Sequence, residues 1–421
     1  MDIWIAISVF VLSYGIIISE RIHRTVIAIV GAVAMILLGV ITQEQATEGV
    51  DFNTLGLLIG MMVIVTIAKD TGMFQYIAIK AAKIARGEPW RIMLMLSAVT
   101  ALFSAFLDNV TTVMLIVPVT FVISDNLKIN PVPLLLAEIF MSNIGGTATL
   151  IGDPPNILIG SAAGLSFLDF LTNLAPVILI MIPLVFIIFR WYWRKGLRTT
   201  PDLQKKIMEL DEREALTNKP LLVKVLIVLG LVLVGFMLHS ALHLEAATIA
   251  LTGAGLLWLL DNQHPERVLK EVEWPTIFFF VGLFVLVKGL EEVGVIEYLA
   301  RQLLSMTGGD LAVTAIVILW AAAIFSAFID NIPFVATMIP LVKDIGVLSG
   351  LSLTPLWWAL ALGACLGGNG TLVGASANLV VAGIAEKSGY HIRFKQFIRF
   401  GLPVMLLTIV ISTAYLFIRY V

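Results

Sequence analysis

Two Asp-Asn pairs stand inside apolar runs of nearly the same sequence. The first run, FSAFLDNVTTVMLIVP, begins at Phe103, and the second, FSAFIDNIPFVATMIP, begins at Phe325, an offset of 325 − 103 = 222. Asp is a good helix N-cap, so Asp108 and Asp330 could each begin a helix. Ser or Thr could also do this, whereas a carboxylate near the centre of a bilayer costs at least ~2.5–3.5 kcal/mol. We therefore predict that both aspartates bind an ion or carry protons, in addition to capping.

The residues after the two aspartates differ between the copies. Thr-Thr follows at positions 111–112, where the second copy has Pro-Phe at 333–334. Threonine hydroxyls donate and accept hydrogen bonds, and Pro and Phe side chains do neither. The predicted site is therefore asymmetric, and its polar residues beside the aspartates are Asn109, Thr111, Thr112 and Asn331.

Two glycine-rich polar segments keep the same spacing. GGTATLIGDPPN begins at Gly145 and GGNGTLVGASAN at Gly367, again 222 residues apart (367 − 145). Paired glycines allow close backbone approach, and the Thr and Asn side chains add neutral hydrogen-bonding groups. The alternative is that these small residues serve helix packing alone. The residues predicted to bind substrate or ion here are Gly145, Gly146, Thr147, Thr149, Asn156, Gly367, Gly368, Asn369, Thr371 and Asn378.

Asp153 is a carboxylate without a counterpart. It precedes Pro154-Pro155, the pattern of an N-cap followed by Pro at the first helical position. Ala375 stands at the matched position (153 + 222). Two interpretations stay open: Asp153 only caps a helix, or it is an ion or proton ligand that makes the two halves different.

The composition places these motifs in a membrane. Hydrophobic residues make up 59% of the chain and charged residues 13%, and the mean hydropathy is +0.99, far from soluble-domain norms. We predict a multi-pass protein of the inner (plasma) membrane, surrounded by the lipid bilayer. A net charge of −2 without a basic patch excludes nucleic acid as a partner. The single cysteine, Cys365, excludes a disulfide framework or a cysteine metal cluster, and no motif predicts a metal or a cofactor.

The apolar segments predict an all-α polytopic fold of two inverted repeats, residues 1–193 and 220–421, joined by a cytoplasmic linker at 194–219. Segments long enough to cross ~30 Å of hydrocarbon lie at 3–19, 24–41, 54–69 and 173–193. A broken helix at about 133–163 is the fifth crossing, and about 92–127 is a re-entrant hairpin. The second repeat has its hairpin at about 311–348 and its broken helix at about 355–386. Because five is odd, the second repeat is inserted upside down.

Lysine and arginine positions predict which side faces the cytoplasm. Arg21, Arg24, the basic residues within 69–91 and the linker fall on one side, and the segment 42–53 on the other side has none. Both termini are then outside, and Lys343 falls on the outer side against the rule. The linker is predicted to be a solvated tether between the repeats.

Helices broken at mid-depth predict a transport site. Unpaired backbone groups in lipid cost several kcal/mol, so irregular backbone persists only where it is buried in protein or lines a cavity. In inverted-repeat transporters, broken helices direct their ends at substrate and coupling ions near the midplane. The duplicated breaks are therefore the best candidates for a site.

LDNVTTVMLIVP from Leu107 and SNIGGTATLIGDPPN from Ser142 resemble motifs of the ion-transporter superfamily, in the branch of bacterial arsenite permeases and the melanosomal P protein. The resemblance covers essentially the whole chain. It implies a scaffold and a transport domain that moves as an elevator, with the site between two hairpin tips and two unwound helices. Divalent-anion/sodium symporters of the superfamily carry Ser-Asn-Thr at these tips. Asp-Asn in this chain argues against sodium-dicarboxylate symport.

For an arsenite permease, the resemblance implies secondary active export of arsenite or antimonite in exchange for protons, with Asp108 and Asp330 as proton carriers. Arsenite near neutral pH is mostly an uncharged trihydroxy acid, which hydrogen-bonding side chains suit better than a counter-charge. The resemblance also allows a cytoplasmic ATPase subunit and a homodimer. The main alternative is sodium/proton antiport at the same aspartates, and a weaker one is anion transport. Neither aspartate has the Gly-x-Gly-Asp context of an intramembrane aspartyl protease, and we do not expect an enzyme.

Overall fold

The computed structural model describes residues 2–19, 21–194, 196–261 and 265–420, and these residues form 22 α-helices and one 3-10 helix without any strand. The all-α fold predicted from the apolar segments is confirmed. The helices of the first half are α1 Asp2–Ser19, α2 Arg24–Leu37, α3 Gln43–Glu48, α4 Phe52–Lys69, α5 Met73–Ile84, α6 Pro89–Phe106, α7 Asn109–Leu127, α8 Val132–Gly146, α9 Pro154–Ala163, α10 Phe167–Asn173 and α11 Ala175–Trp193.

The linker contains α12 Pro201–Glu209 and the 3-10 helix Glu212–Ala215. The helices of the second half are α13 Lys219–Leu242, α14 Ala246–Asp261, α15 Pro265–Glu271, α16 Trp274–Glu292, α17 Val295–Thr307, α18 Leu311–Phe328, α19 Asn331–Ser349, α20 Thr354–Gly367, α21 Ser376–Lys387 and α22 Phe394–Tyr420.

The helix bounds repeat at the spacing seen in the sequence. The helices α4 and α16 begin at 52 and 274, α7 and α19 at 109 and 331, and α9 and α21 at 154 and 376, each pair 222 apart. In each half the chain turns between two long helices at the Asp-Asn pair. The glycine-rich segments interrupt the helices that follow. That the two halves are inverted in the membrane stays a prediction.

Ten of the described helices are long and apolar enough to cross a membrane, and the bent pair α9 and α10 would make an eleventh span. The ten include the hairpin arms α6, α7, α18 and α19, whereas α2 has only 14 residues. At 1.5 Å per residue α2 reaches about 21 Å, short of the ~30 Å hydrocarbon core. The crossing predicted at 24–41 ends as a helix at Leu37 because Gly39 adopts φ 74°, a left-handed conformation that stops helices.

Two helices of each half pack against helices of the other half. The helix α2 packs along α16, and α4 packs along α14; we call these the crossed pairs. Each contact is close because a glycine stands at it. A Cβ at Gly60 would lie 2.7 Å from the Ala250 carbonyl carbon, and one at Gly282 would lie 2.5 Å from the Ala28 carbonyl carbon. Both contacts keep the offset of 222.

Each hairpin packs against the broken helix of its own half, α6 against α8 and α18 against α20. The same hydrogen bond fixes both packings. Ser104 donates to the Ser142 carbonyl at 2.6 Å, and Ser326 donates to the Ala364 carbonyl at 2.6 Å. These four residues also pair at the offset of 222, so the two hairpin units are built alike.

The linker is docked on the protein, which differs from the solvated tether predicted from its polar sequence. Ile207 of α12 is fully buried, and Lys83 of α5 contacts the Glu212 carboxylate at 2.6 Å. Thr217 donates to the Asp70 carbonyl at 2.6 Å. The tether prediction missed that one apolar residue in a charged segment can anchor it by burial.

Candidate functional site

The two aspartates lie at the turns of their hairpins and cap the second arm, as predicted. The Asp108 side chain accepts from the Thr111 backbone N–H at 2.9 Å. The Asp330 side chain accepts from the Ile332 N–H at 3.1 Å. Each capping bond uses one carboxylate oxygen, and a carboxylate has a second oxygen that can accept from another partner.

A cavity of about 130 Å³ lies between the hairpin turns and the crossed pairs. We call it the central cavity. Asp108 and Asn109 of the first turn and Asn331 of the second line it, together with Asp153. Its remaining polar lining residues are Arg24, Glu273, Thr276 and Ser376. The structure therefore brings together four predicted site residues from three separate parts of the chain.

Asp153 points into this site instead of capping its helix. It occupies the N-cap position of α9 with extended backbone, but its side chain makes no capping hydrogen bond. It is 1% exposed, and both of its carboxylate oxygens lie 3.4 Å from Asn331 Nδ2. Of the two interpretations left open by the sequence, capping by the side chain is wrong. Proline at N1 explains why the helix can start without it, because Pro has no N–H to cap.

Asp330 is held by an arginine from the first half. Arg24 Nη1 lies 2.8 Å from Asp330 Oδ2 and 2.8 Å from Ser376 Oγ. Ser376 in turn donates to the same Asp330 oxygen at 2.7 Å. Arg24 also stacks over the Phe279 ring, with its guanidinium carbon 4.9 Å from the ring centroid. Asp330 is thus a paired carboxylate, whereas Asp108 has no ion pair among the described residues.

The four paired glycines lie where backbones meet, as predicted. Gly145 approaches the backbone of Ala101, and Gly367 approaches that of Ala323. A Cβ at Gly146 would lie 2.5 Å from the Gly152 carbonyl oxygen, and one at Gly368 would lie 3.1 Å from the Gly374 carbonyl oxygen. These glycines let each break fold back against its own hairpin.

Most of the predicted neutral side chains bind backbone carbonyls, either of the breaks or of the adjoining hairpin arms. Thr149 donates to the Ala105 carbonyl, and Thr371 donates to the Ala327 carbonyl. Asn156 Nδ2 lies 2.8 Å from the Thr149 carbonyl, and Thr147 donates to the Asn143 carbonyl at 2.7 Å. Asn378 donates to the carbonyls of Gly368 and Thr371 at 2.8 and 3.0 Å. None of these residues lines the central cavity.

A chain of asparagine amides joins the first hairpin turn to the second break. Asn109 donates to Asn143 Oδ1 at 3.2 Å, and Asn143 donates to Asn369 Oδ1 at 3.0 Å and Asn378 Oδ1 at 3.1 Å. The Asn369 amide nitrogen has no partner among the described residues. Asn143 was missed as a site residue because Cys365 stands at its matched position, 222 residues on, and the amide is not duplicated.

The two threonines after Asp108 have different surroundings. Thr111 supplies the capped backbone N–H. The Thr112 hydroxyl is buried without a hydrogen-bond partner among the described residues. Neither lines the central cavity, so a role for them in binding stays a prediction.

Four cavity residues escaped the sequence analysis: Arg24, Glu273, Thr276 and Ser376. Thr276 donates to the Glu273 carboxylate at 3.2 Å, and in the first half Thr54 donates to the Asp51 carboxylate at 2.6 Å. An acid three residues before a Thr thus recurs at the offset of 222, a signal that could have found Glu273. Arg24 and Ser376 have Ala246 and Pro154 at their matched positions, so duplication could not reveal them.

No three His, Cys, Asp or Glu side chains within the described ranges are placed to hold a metal ion. The carboxylates of the cavity therefore face a common space without converging on one point. Hydrogen-bonding groups and charges of both signs line that space.

A family model described as a citrate transporter (CitMHS) matches residues 14–363 of the chain. The chain belongs to this citrate transporter family. The matched range includes both hairpin turns and Asp153. Membership makes the chain a secondary transporter.

Relatives of the chain have similar lengths in mycobacteria. An uncharacterized transporter of Mycobacterium bovis is 46% identical over 423 residues, which cover 99% of this chain and 98% of that one. A 46 kDa membrane protein of Mycobacterium leprae is 43% identical over 422 residues, with coverages of 99% and 98%. Human P protein is 36% identical over 507 residues, covering 100% of this chain and 60% of that protein. The resemblance to the ion-transporter superfamily is confirmed by these likenesses.

The YdaH transporter of Alcanivorax borkumensis has a similar fold, with a TM-score of 0.58 and 14% sequence identity. The match covers 99% of this chain and 97% of that one. At this identity the likeness shows the fold alone. Together with the ten candidate membrane spans, it supports a multi-pass membrane fold.

Proposed function

We propose that this family member exports arsenite or antimonite in exchange for protons, with the central cavity open alternately to the two sides of the membrane. The observation that carries the proposal is the lining of the cavity, which combines carboxylates with neutral amides and hydroxyls. An uncharged trihydroxy acid offers three O–H donors, and carboxylate and amide oxygens accept them. Asp108 and Asp330 would carry the protons.

The size and charge of the cavity support a small, uncharged substrate. Its volume of about 130 Å³ is below the ~300–1,000 Å³ of pockets that hold drug-sized ligands. The cavity is lined by three carboxylates, those of Asp108, Asp153 and Glu273. Its one guanidinium, that of Arg24, is already paired with Asp330. A citrate anion would meet more like charges than opposite ones, and like charges held closely cost several kcal/mol.

A second candidate is sodium/proton antiport. The excess of carboxylates over guanidinium in the cavity favours it, because hard cations prefer oxygen ligands. One observation stands against it: among the described residues, no cluster of three or more His, Cys, Asp or Glu side chains is placed to hold a metal ion. Metalloid/proton exchange therefore remains the first proposal.

Flux in proteoliposomes with an imposed pH gradient tests the two candidates. Arsenite, sodium and citrate are supplied separately to the parent protein and to Asp108→Asn and Asp330→Asn variants. Asp125→Asn is the matched control, because Asp125 is exposed on α7 and lies outside the cavity. Gradient-driven arsenite movement that the first two variants abolish, and the control retains, is the expected result. Sodium or citrate movement without arsenite movement would overturn the proposal.

A further inference from the structure

We propose that Arg24 is a coupling residue, which occupies the Asp330 carboxylate as an internal cation until a proton or cargo cation displaces it. While the pair is intact, it fastens the second hairpin turn to α2. This inference deepens the proposed function and rests on it, since it requires that Asp330 exchange its partner during transport.

The ion pair joins two groups of helices. Arg24 is the first residue of α2, which belongs to a crossed pair, and Asp330 lies at the turn between α18 and α19. The guanidinium is oriented from both sides, by Phe279 of α16 and by Ser376 of α21. Movement of the hairpin relative to α2 must therefore break the 2.8 Å contact.

The pair is only partly accessible. The Arg24 side chain is 28% exposed and the Asp330 side chain 13%. The central cavity and a neighbouring cavity of about 270 Å³ share Arg24 and Ser376, and Asp330 lines the second of these. An ion that enters either cavity can reach the guanidinium-carboxylate contact. Separating the pair leaves a partly buried carboxylate uncompensated, which is costly unless a proton or another cation takes the place of the guanidinium.

The titratable groups around Asp330 are few. Arg24 faces it from α2, and His23 lines the same neighbouring cavity. Asp153 lies across the shared neighbour Asn331. Among these, Arg24 is the group in direct contact with the Asp330 carboxylate, so we assign the competition with the incoming cation to it.

The repeat allows this ion pair in only one of the two arrangements. Another cavity, of about 360 Å³, has four lining residues that correspond to central-cavity residues at the offset of 222. The corresponding pairs are Met62 with Phe284, Met114 with Ala336, Glu273 with Asp51, and Val380 with Leu158. No residue of either hairpin turn lines this second cavity, whereas Asp108, Asn109 and Asn331 line the central one. The site is therefore open toward the Arg24 side.

If the two repeats exchange their arrangements when the site opens to the other side, Asp108 takes the place of Asp330. It then faces the position that corresponds to Arg24, which is Ala246. No guanidinium is available there. The ion pair therefore stabilises only the arrangement that opens toward Arg24, and its rupture is a step in transport in one direction only.

Labelling of a cysteine in the central cavity tests the inference without any substrate. Met62→Cys in a Cys365→Ser background is treated with a membrane-impermeant maleimide from the Arg24 side. Arg24→Gln is expected to slow labelling roughly fivefold or more, because coupling between sites typically changes populations ~5–150-fold. Arg21→Gln is the matched control, because Arg21 is exposed and has no ion pair among the described residues. Equal labelling rates in Arg24→Gln and the parent would overturn the inference.

Two further variants distinguish loss of the Arg24–Asp330 ion pair from damage to the fold. Ala246→Arg supplies a guanidinium at the matched position and is expected to slow labelling of Met62→Cys by favouring the opposite arrangement. The exchanged pair Arg24→Asp with Asp330→Arg is expected to restore the labelling rate but not transport. If the exchanged pair labels as slowly as Arg24→Gln, the ion pair does not stabilise the arrangement that opens toward Arg24. Because no substrate is present, failure of arsenite transport leaves these outcomes unchanged.

Discussion

Asn143 of the first broken helix donates a hydrogen bond to Asn378 of the second at 3.1 Å, across 235 positions of sequence. The same amide nitrogen donates to Asn369, and its oxygen accepts from Asn109. One side chain thus connects a hairpin turn with the break of the other half. Asn143 is fully buried, so each of these bonds forms away from water, where an unmade bond is costly.

Replacing Asn143 by Ala should destabilise the protein and reduce transport together. Three amide groups lose their partner, and each buried group left unsatisfied costs ~1–3 kcal/mol. We expect a lower midpoint of thermal unfolding in detergent. Asn126→Ala is the control, because the exposed Asn126 amide bonds only the Val122 carbonyl of its own helix. Similar midpoints for the two variants would mean that the asparagine chain contributes nothing to stability.

Alanine at Gly145 or Gly367 should also destabilise the protein. The added methyl groups would meet the backbones of Ala101 and Ala323, and backbone cannot move aside as a flexible side chain can. Overpacking of this kind typically costs ~1–3 kcal/mol. Gly255→Ala is the control, because no atom lies within 4 Å of its added Cβ. In a helix interior that change should be neutral or stabilising by ~0.5–1 kcal/mol. Equal unfolding midpoints for all three variants would contradict the close approach.

Duplicated signals allowed much of this fold to be predicted. Asp108 and Asp330 mark the hairpin turns, and Gly145 and Gly367 mark the breaks, because helix caps and close backbone contacts demand these residue types locally. Residues whose role depends on one half only were not predictable in this way. Arg24 looked like a residue of a cytoplasmic loop, because nothing in its local sequence indicates that α2 meets the other half's hairpin.

For Asp153, the sequence predicts the position of the residue but not the direction of its side chain. Its position before Pro154 fits an N-cap, and the backbone of the residue is indeed at that position. The side chain nevertheless turns toward Asn331, 178 positions away. Local pattern predicts where a helix begins, whereas the direction of a carboxylate depends on which polar group tertiary packing brings near.

Linker docking should depend on pH through Glu212, which lies outside the membrane-spanning segments. A hydrogen bond from the Lys83 ammonium lowers the pKa of the Glu212 carboxyl. A folded-state pKa below the unfolded value means that this contribution is present above the usual carboxyl range and is lost as the pH falls through the folded pKa. Proteolysis of the linker should therefore accelerate in acid. Glu212→Gln should cleave faster at neutral pH and lose this acid dependence, and an unchanged pH profile would contradict the assignment.

Asp153→Asn should slow transport strongly while leaving the fold intact. Asparagine keeps the shape of the side chain but removes the charge that faces Asn331 and the cavity. Hydrogen bonds to charged groups contribute ~1.5–3 kcal/mol, so we expect the transport rate to fall about tenfold or more. Asp310→Asn is the matched control: Asp310 caps α18 by accepting from the Val313 N–H at 2.9 Å, and Asn caps about as well as Asp. Flux and thermal unfolding measured on both variants decide the point. If Asp153→Asn transports like the control, its carboxylate is structural and its negative charge is not needed for transport.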